Sequence, residues 1–151
     1  MDALDLLRAQ HAEILGLFAR TETLDVGDRW CALDILVEAI DLHLRVTPIC
    51  AARVGFARER VAENRHSFER ARDELTVLDP SDATFAHELS RVRDDVLRVC
   101  RREQQRLFPA IAQQLDRSAR LALATDILAV IAQFECETDP CEANDQSAAS
   151  I

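Results

Sequence analysis

The chain has 151 residues, enough for one domain and few for two. Its composition, 48% hydrophobic and 30% charged, is that of a globular protein with a core and excludes a fibrous or disordered chain. The net charge of −9 repels phosphate backbones and anionic lipids, so neither nucleic acid nor a membrane is expected as a partner. An acidic start, and no apolar run near the roughly 20 residues of a membrane span, favour a cytoplasmic protein.

Apolar residues recur at helical spacing along the chain, which predicts an all-α protein. Asp2 is the expected N-cap of the first helix, and Pro48 is expected to kink or restart the second, with Thr47 as a cap. The fourth helix is expected to run from Phe85 to Phe108. The third and fifth helices are predicted at about 57–78 and 118–134.

Four amphipathic helices joined by short connections predict an up-down-up-down four-helix bundle with an additional C-terminal helix. The bundle is expected over residues 1–135, and the acidic, small-residue composition of residues 136–151 predicts a disordered tail. The fifth helix is apolar on more than one face. A homodimer through this helix is therefore one expected arrangement.

Three polar residues interrupt the apolar stripes: His11 on the first helix, His43 on the second and Glu103 on the fourth. Each lies near the middle of its helix on the core-facing side, so the three are expected to meet in one interior layer. A buried carboxylate needs a cation, a proton or a metal ion beside it. Two imidazoles and one carboxylate suit Fe(II), Mn(II) or Zn(II) with positions left open for a ligand.

This pattern resembles the hemerythrin-like (HHE cation-binding) domains, which hold a di-iron centre in a four-helix bundle. The resemblance covers residues 1 to about 115 and rests on Gln10-His11, on Leu42-His43-Leu44-Arg45, and on Glu103 followed five residues later by Phe108-Pro109. It implies a metal site of His11, His43 and Glu103, with iron preferred to zinc.

The chain departs from the family pattern at three ligand positions, which hold Thr47, Val99 and Arg65. One metal ion is therefore expected, or two with the second only partly bound. His66 is about 100° away from the inward face of the third helix and would serve as an auxiliary ligand after a small rotation of that helix.

The resemblance implies that the protein senses or buffers metal, O2 or NO, with a small diatomic molecule as ligand. No residue pattern indicates catalysis, so an enzyme is not expected. An alternative needs no metal: Arg65 would pair with Glu103, and the bundle would act through protein contacts.

Five cysteines, an odd number without dense spacing, predict reduced thiols. Cys50 and Cys100 are either buried small hydrophobes or thiolate ligands in a zinc version of the site. Cys31 is predicted to fill the core. Cys136 and Cys141 are candidates for a labile bridge.

Overall fold

The fold is described by a computed structural model, which covers residues 1–139. Over this range the chain forms five α-helices and no strand. The helices are α1 (Ala3–Thr23), α2 (Val26–Arg53), α3 (Arg58–Val77), α4 (Phe85–Gln114) and α5 (Arg117–Thr138). Each of the first four helices packs against the next, and α4 returns to α1, which closes the four-helix bundle predicted from the sequence. α5 packs across α1 and α2 on the outside of the bundle.

Side-chain caps fix the start of α1 and the start of α5. Asp2 accepts from the backbone of Leu4 and Asp5, and the Asp5 carboxylate accepts from the Asp2 amide, which completes a capping box. Asp116 accepts from the Ala119 amide in the same way. The Asp2 cap predicted from the sequence is confirmed.

Two prolines lie inside helices, where the sequence predicted a kink or restart at Pro48 and the end of the fourth helix at Phe108. α2 continues through Pro48 to Arg53, and α4 continues through Pro109 to Gln114. A proline removes one backbone donor, but the rest of each helix packs against its neighbours and is stabilised by that contact. Thr47 does not cap a new helix, because its hydroxyl donates to the His43 carbonyl one turn earlier.

The core has two apolar clusters, one toward each end of the bundle. On α1 the sequence passes from Leu7 of one cluster through His11 to Ile14 of the other. On α4 it passes from Cys100 through Glu103 to Leu107. The buried polar side chains therefore form a layer that separates the two clusters.

The C-terminal region differs in part from its prediction. α5 extends to Thr138, so residues 136–138 are helical instead of disordered, and residues 140–151 with Cys141 lie outside the described range. Leu121 and Leu128 on α5 are exposed. Self-association through α5 stays a prediction. None of the helices within residues 1–139 combines the length and hydropathy that crossing a membrane requires.

Candidate metal-binding site

Three helices bring the predicted polar residues together in the interior. His11 comes from α1, His43 from α2 and Glu103 from α4, with exposed fractions of 1%, 0% and 1%. Each lies on the inward stripe of its helix, one turn from apolar core residues on either side. Burial of those apolar neighbours therefore places the polar residue in the interior as well.

Both imidazoles contact the same carboxylate. Nε2 of His11 lies 3.1 Å from Oε2 of Glu103. Nε2 of His43 lies 3.0 Å from Oε2 and 3.3 Å from Oε1 of the same carboxylate. The three residues form one hydrogen-bonded cluster.

The electrostatics of the cluster favour an ionised carboxylate. Burial raises the pKa of Glu103, but the positive potential of His43 and hydrogen bonds from both imidazoles outweigh burial and lower the pKa to about 2. At neutral pH Glu103 is therefore an ionised carboxylate in a dry interior. A positive charge, from a proton or a metal ion, is required beside it.

Aromatic side chains hold the two imidazoles in place. The His11 ring stacks on Phe108, with centroids 5.2 Å apart, and the His43 ring meets Phe68 edge-on at 4.9 Å. Both phenylalanines are buried. This packing limits the rotamers of the imidazoles, as a ligand set of fixed geometry requires.

The donor atoms fit a small transition-metal ion. One ligand atom from each of His11, His43 and Glu103 lies within 4.8 Å of the other two. A metal bound at about 2.0–2.2 Å keeps neighbouring ligand atoms about 3–3.5 Å apart. The nitrogen-to-oxygen separations of 3.0 and 3.1 Å match that spacing.

Two glutamines that the sequence did not predict as site residues contact the imidazoles. Oε1 of Gln10 lies 2.8 Å from Nδ1 of His43, and Nε2 of Gln104 lies 3.2 Å from Nδ1 of His11. Gln10 is buried, three residues after Leu7 on the same stripe. Its polar side chain at an apolar-stripe position could have indicated that Gln10 belongs to the buried polar layer.

A cavity of about 20 Å³ lies beside Glu103, between α2, α3 and α4. A space of about 10–15 Å³ is enough for one water molecule. The cavity is large enough for a water-sized ligand next to the carboxylate. Most of its lining is apolar, and Thr47, Asn64 and Arg65 are its other polar residues.

The structure does not place His66 or the Arg65 guanidinium in the cluster. His66 has a side chain 75% exposed, and it lies near Glu69 on the surface of α3. Arg65 is 63% exposed and donates to Glu69 at 2.7 Å. The predicted Arg65–Glu103 pair is wrong, because Glu69, one turn along α3, offers a solvated partner that requires no burial of charge. His66 faces solvent, and its predicted auxiliary role would require a rotation of α3 that the structure does not show.

Replacing Arg65 by Met is expected to change the free energy of unfolding by less than about 0.5 kcal/mol, since an exposed ion pair contributes little. Urea unfolding followed by circular dichroism measures this, with Arg101→Met on the exposed face of α4 as the control. A loss of about 3–5 kcal/mol would instead show that Arg65 compensates a buried charge.

The buried thiols are not part of the cluster of donor atoms found within residues 1–139. Burial, and to a smaller degree the charge of Glu103, raises the pKa of Cys50 and of Cys100 to about 12. Both thiols therefore stay protonated at neutral pH, as small core hydrophobes do. Cys31, predicted to be in the core, is exposed, because it lies on the outer side of the first turns of α2.

Thiol alkylation is expected to separate the four cysteines within residues 1–139 into two groups. Iodoacetamide at pH 8 should modify Cys31 and Cys136, which are exposed, and leave Cys50 and Cys100 unmodified until the protein is unfolded. Peptide mass spectrometry of native and guanidinium-treated protein measures this. Modification of Cys50 or Cys100 in the native protein at the rate of Cys31 would contradict the burial described here.

The fold and the site together define a helical-bundle protein with a buried cluster of two histidines and one carboxylate. No family model, no characterised relative and no solved structure matches this chain.

Proposed function

We propose that the protein binds one divalent transition-metal ion through His11, His43 and Glu103, and that iron is the preferred metal. The observation that carries this proposal is the convergence of three donor side chains from three helices in a dry interior. Two imidazoles and one carboxylate, with coordination positions left for exogenous ligands, suit non-haem Fe(II).

Iron is preferred to zinc for two reasons. The resemblance of the sequence to hemerythrin-like domains favours iron. The buried thiols, which would favour zinc, stay outside the group of donor atoms found in the described part of the chain.

One ion is proposed instead of two. The positions where the family pattern has further ligands hold Thr47, Val99 and Arg65. Val99 is buried and has no donor atom in its side chain, and the Arg65 guanidinium is a cation paired with Glu69. These residues would not hold a second ion beside Glu103.

The bound ion would take a small ligand and would sense or buffer metal, O2 or NO instead of catalysing a reaction. The cavity of about 20 Å³ beside Glu103 supports a small ligand, since about 10–15 Å³ is enough for one water molecule. Its apolar lining favours an uncharged molecule.

A second candidate function is a metal-free bundle that acts through protein contacts. The exposed Leu121 and Leu128 on α5 favour it, because they offer apolar surface for self-association. In that case a proton shared by His43 and Glu103 would take the place of the metal ion.

Metal analysis after loading tests the proposal. Chelator-treated protein is dialysed against Fe(II) without oxygen, or against Zn(II), and bound metal is measured by mass spectrometry. We expect about one equivalent in the wild type and a loss in His11→Ala, because binding requires the converging ligands. The surface variant His66→Ala is the matched control and should bind as the wild type does.

Less than about a tenth of an equivalent of either metal in correctly folded wild-type protein would contradict the proposal. Equal loss of metal in His11→Ala and His66→Ala would also contradict it. Circular dichroism of each variant confirms that the helices are intact before the metal content is compared.

A further inference from the structure

Two glutamine side chains contact the imidazoles of the cluster on the side away from the carboxylate. Gln10 Oε1 is 2.8 Å from Nδ1 of His43, and Gln104 Nε2 is 3.2 Å from Nδ1 of His11. In both rings Nε2 faces Glu103. The hydrogen bond at Nδ1 decides which ring nitrogen has the proton, and hence which one can bind a metal ion.

Gln10 presents a carbonyl oxygen, which can only accept a hydrogen bond. Nδ1 of His43 must therefore have a hydrogen. The lone pair of Nε2 is then available to a metal ion, or takes a second proton that it donates to Glu103. Gln10 is buried, and its own Nε2 has no hydrogen-bond partner among residues 1–139. The hydrogen bond to His43 is therefore the polar contact that compensates for burying this side chain.

Gln104 acts in the opposite sense on His11. Its amide N–H donates to Nδ1, so Nδ1 has no hydrogen and the ring proton lies on Nε2. That proton is donated to Oε2 of Glu103 at 3.1 Å. A ring nitrogen with a hydrogen cannot bind a metal ion. Gln104 is exposed, so its amide group has room to rotate and present the carbonyl oxygen instead.

We propose that Gln10 and Gln104 are positioning residues that set the tautomers of the two ligand imidazoles. Gln10 prepares His43 for ligation through Nε2, whereas Gln104 holds His11 in the tautomer that must change when a metal ion binds. On binding, His11 would release its Nε2 proton to solvent and take one proton from solvent at Nδ1, so that no net proton is gained or lost by the ring. The rotated Gln104 carbonyl would then accept a hydrogen bond from Nδ1–H. The imidazole keeps one hydrogen throughout. This inference rests on the metal site proposed above.

Nitrogen NMR of the histidine rings tests the assignment directly. Long-range ¹H–¹⁵N spectra of ¹⁵N-histidine-labelled protein distinguish a protonated from a bare ring nitrogen. In the metal-free protein we expect Nδ1 of His43 to be protonated and Nδ1 of His11 to be unprotonated. After addition of Zn(II), a diamagnetic probe, both Nδ1 atoms should be protonated. A bare Nδ1 in His43, or a protonated Nδ1 in His11 before zinc is added, would overturn the proposal.

The zinc affinity of substituted proteins gives a second test, in which changes at Gln10 and at Gln104 are expected to act in opposite directions. Gln10→Leu should weaken zinc binding about 10- to 100-fold, the usual effect of losing a hydrogen-bond partner of a ligand imidazole. Gln10→Glu keeps the acceptor and should restore binding. Gln104→Glu places a permanent acceptor beside His11 and should tighten binding, by about 10-fold. Weaker binding in Gln104→Glu would overturn the role given to Gln104.

The two proposals fail separately. If the wild type binds no zinc, the proposed function fails, yet the metal-free spectrum still decides the tautomers of His11 and His43. If zinc binds but the metal-free tautomers are the reverse of those expected, the metal site stands and the roles of Gln10 and Gln104 are wrong.

Discussion

Replacing Glu103 by Leu is expected to lower the free energy of unfolding of the metal-free protein by about 3–5 kcal/mol at pH 7. Leu is close to Glu in size, but it leaves Nε2 of His11 and Nε2 of His43 without the carboxylate partner that both rings now contact. Each buried polar group without a partner costs about 1–3 kcal/mol. Urea unfolding followed by circular dichroism, in the presence of a chelator, measures the loss.

Glu103→Gln separates hydrogen bonding from charge. Its carbonyl can accept from Nε2 of His11 and its amide can donate to Nε2 of His43, so we expect a smaller loss than with Leu. It should nevertheless bind metal much more weakly, because an amide is a poorer ligand than a carboxylate. Glu13→Gln, on the exposed face of α1, is the control and should stay within about 0.5 kcal/mol of the wild type.

The stability that Glu103 contributes should depend on pH in a defined direction. The folded-state pKa of about 2 lies below the ordinary glutamate value of 4.5, so the ionised carboxylate stabilises the fold above pH 4.5, and this contribution is lost as the pH falls toward 2. Both the Leu and the Gln variant lack the carboxyl group. Their stability should therefore fall less steeply over that pH range than that of the wild type. A Leu variant as stable as the wild type would contradict the cluster described here.

Replacing Phe68 by Ala is expected to cost about 3–5 kcal/mol, the usual range for removing a buried phenylalanine from a core. Phe68 is fully buried on α3 and contacts the edge of the His43 ring. For a domain of this size, a loss of that amount corresponds to a fall in melting temperature of roughly 6–20 °C. Thermal unfolding followed by circular dichroism measures it.

Phe68→Leu and Val77→Ala are the matched controls on the same helix. Leu keeps most of the volume, so we expect a loss below about 1.5 kcal/mol, and Val77 is exposed, so its change should stay within about 0.5 kcal/mol. If Phe68→Ala lowered the stability no more than Val77→Ala does, α3 would not pack on the cluster as described.

Helical periodicity predicted the five helices and the three buried polar residues because burial follows directly from the spacing of apolar residues. His11, His43 and Glu103 occupy stripe positions, and a bundle brings those positions into one layer. The helix ends were predicted less well. Packing against neighbouring helices keeps α2 helical beyond Pro48, and rules based on the local sequence do not include this tertiary stabilisation.

Side-chain direction on α3 could not be predicted from periodicity. Arg65 lines the cavity beside Glu103, yet a long flexible side chain reaches several partners, and Glu69 on the surface is the one it contacts. Gln10 was missed for a related reason. Gln10 lies on the apolar stripe of α1, but the stripe does not indicate its partner, because that depends on where the neighbouring helix places His43.

The buried polar layer has a structural cost that the proposed function explains. It separates two apolar clusters that could otherwise form one continuous core, and it buries a carboxylate that needs a positive partner. A protein selected for stability alone gains more from apolar residues at these positions. The metal ion proposed above would account for all three side chains at once.

X-ray absorption at the iron K-edge of iron-loaded protein tests most directly whether His11, His43 and Glu103 hold the metal. We expect nitrogen and oxygen neighbours at about 2.0–2.2 Å, with the outer-shell scattering of two imidazole rings that disappears stepwise in His11→Ala and His43→Ala. A sulfur shell at about 2.3 Å, or a spectrum of hydrated iron unchanged by these substitutions, would contradict a metal ion bound at this cluster.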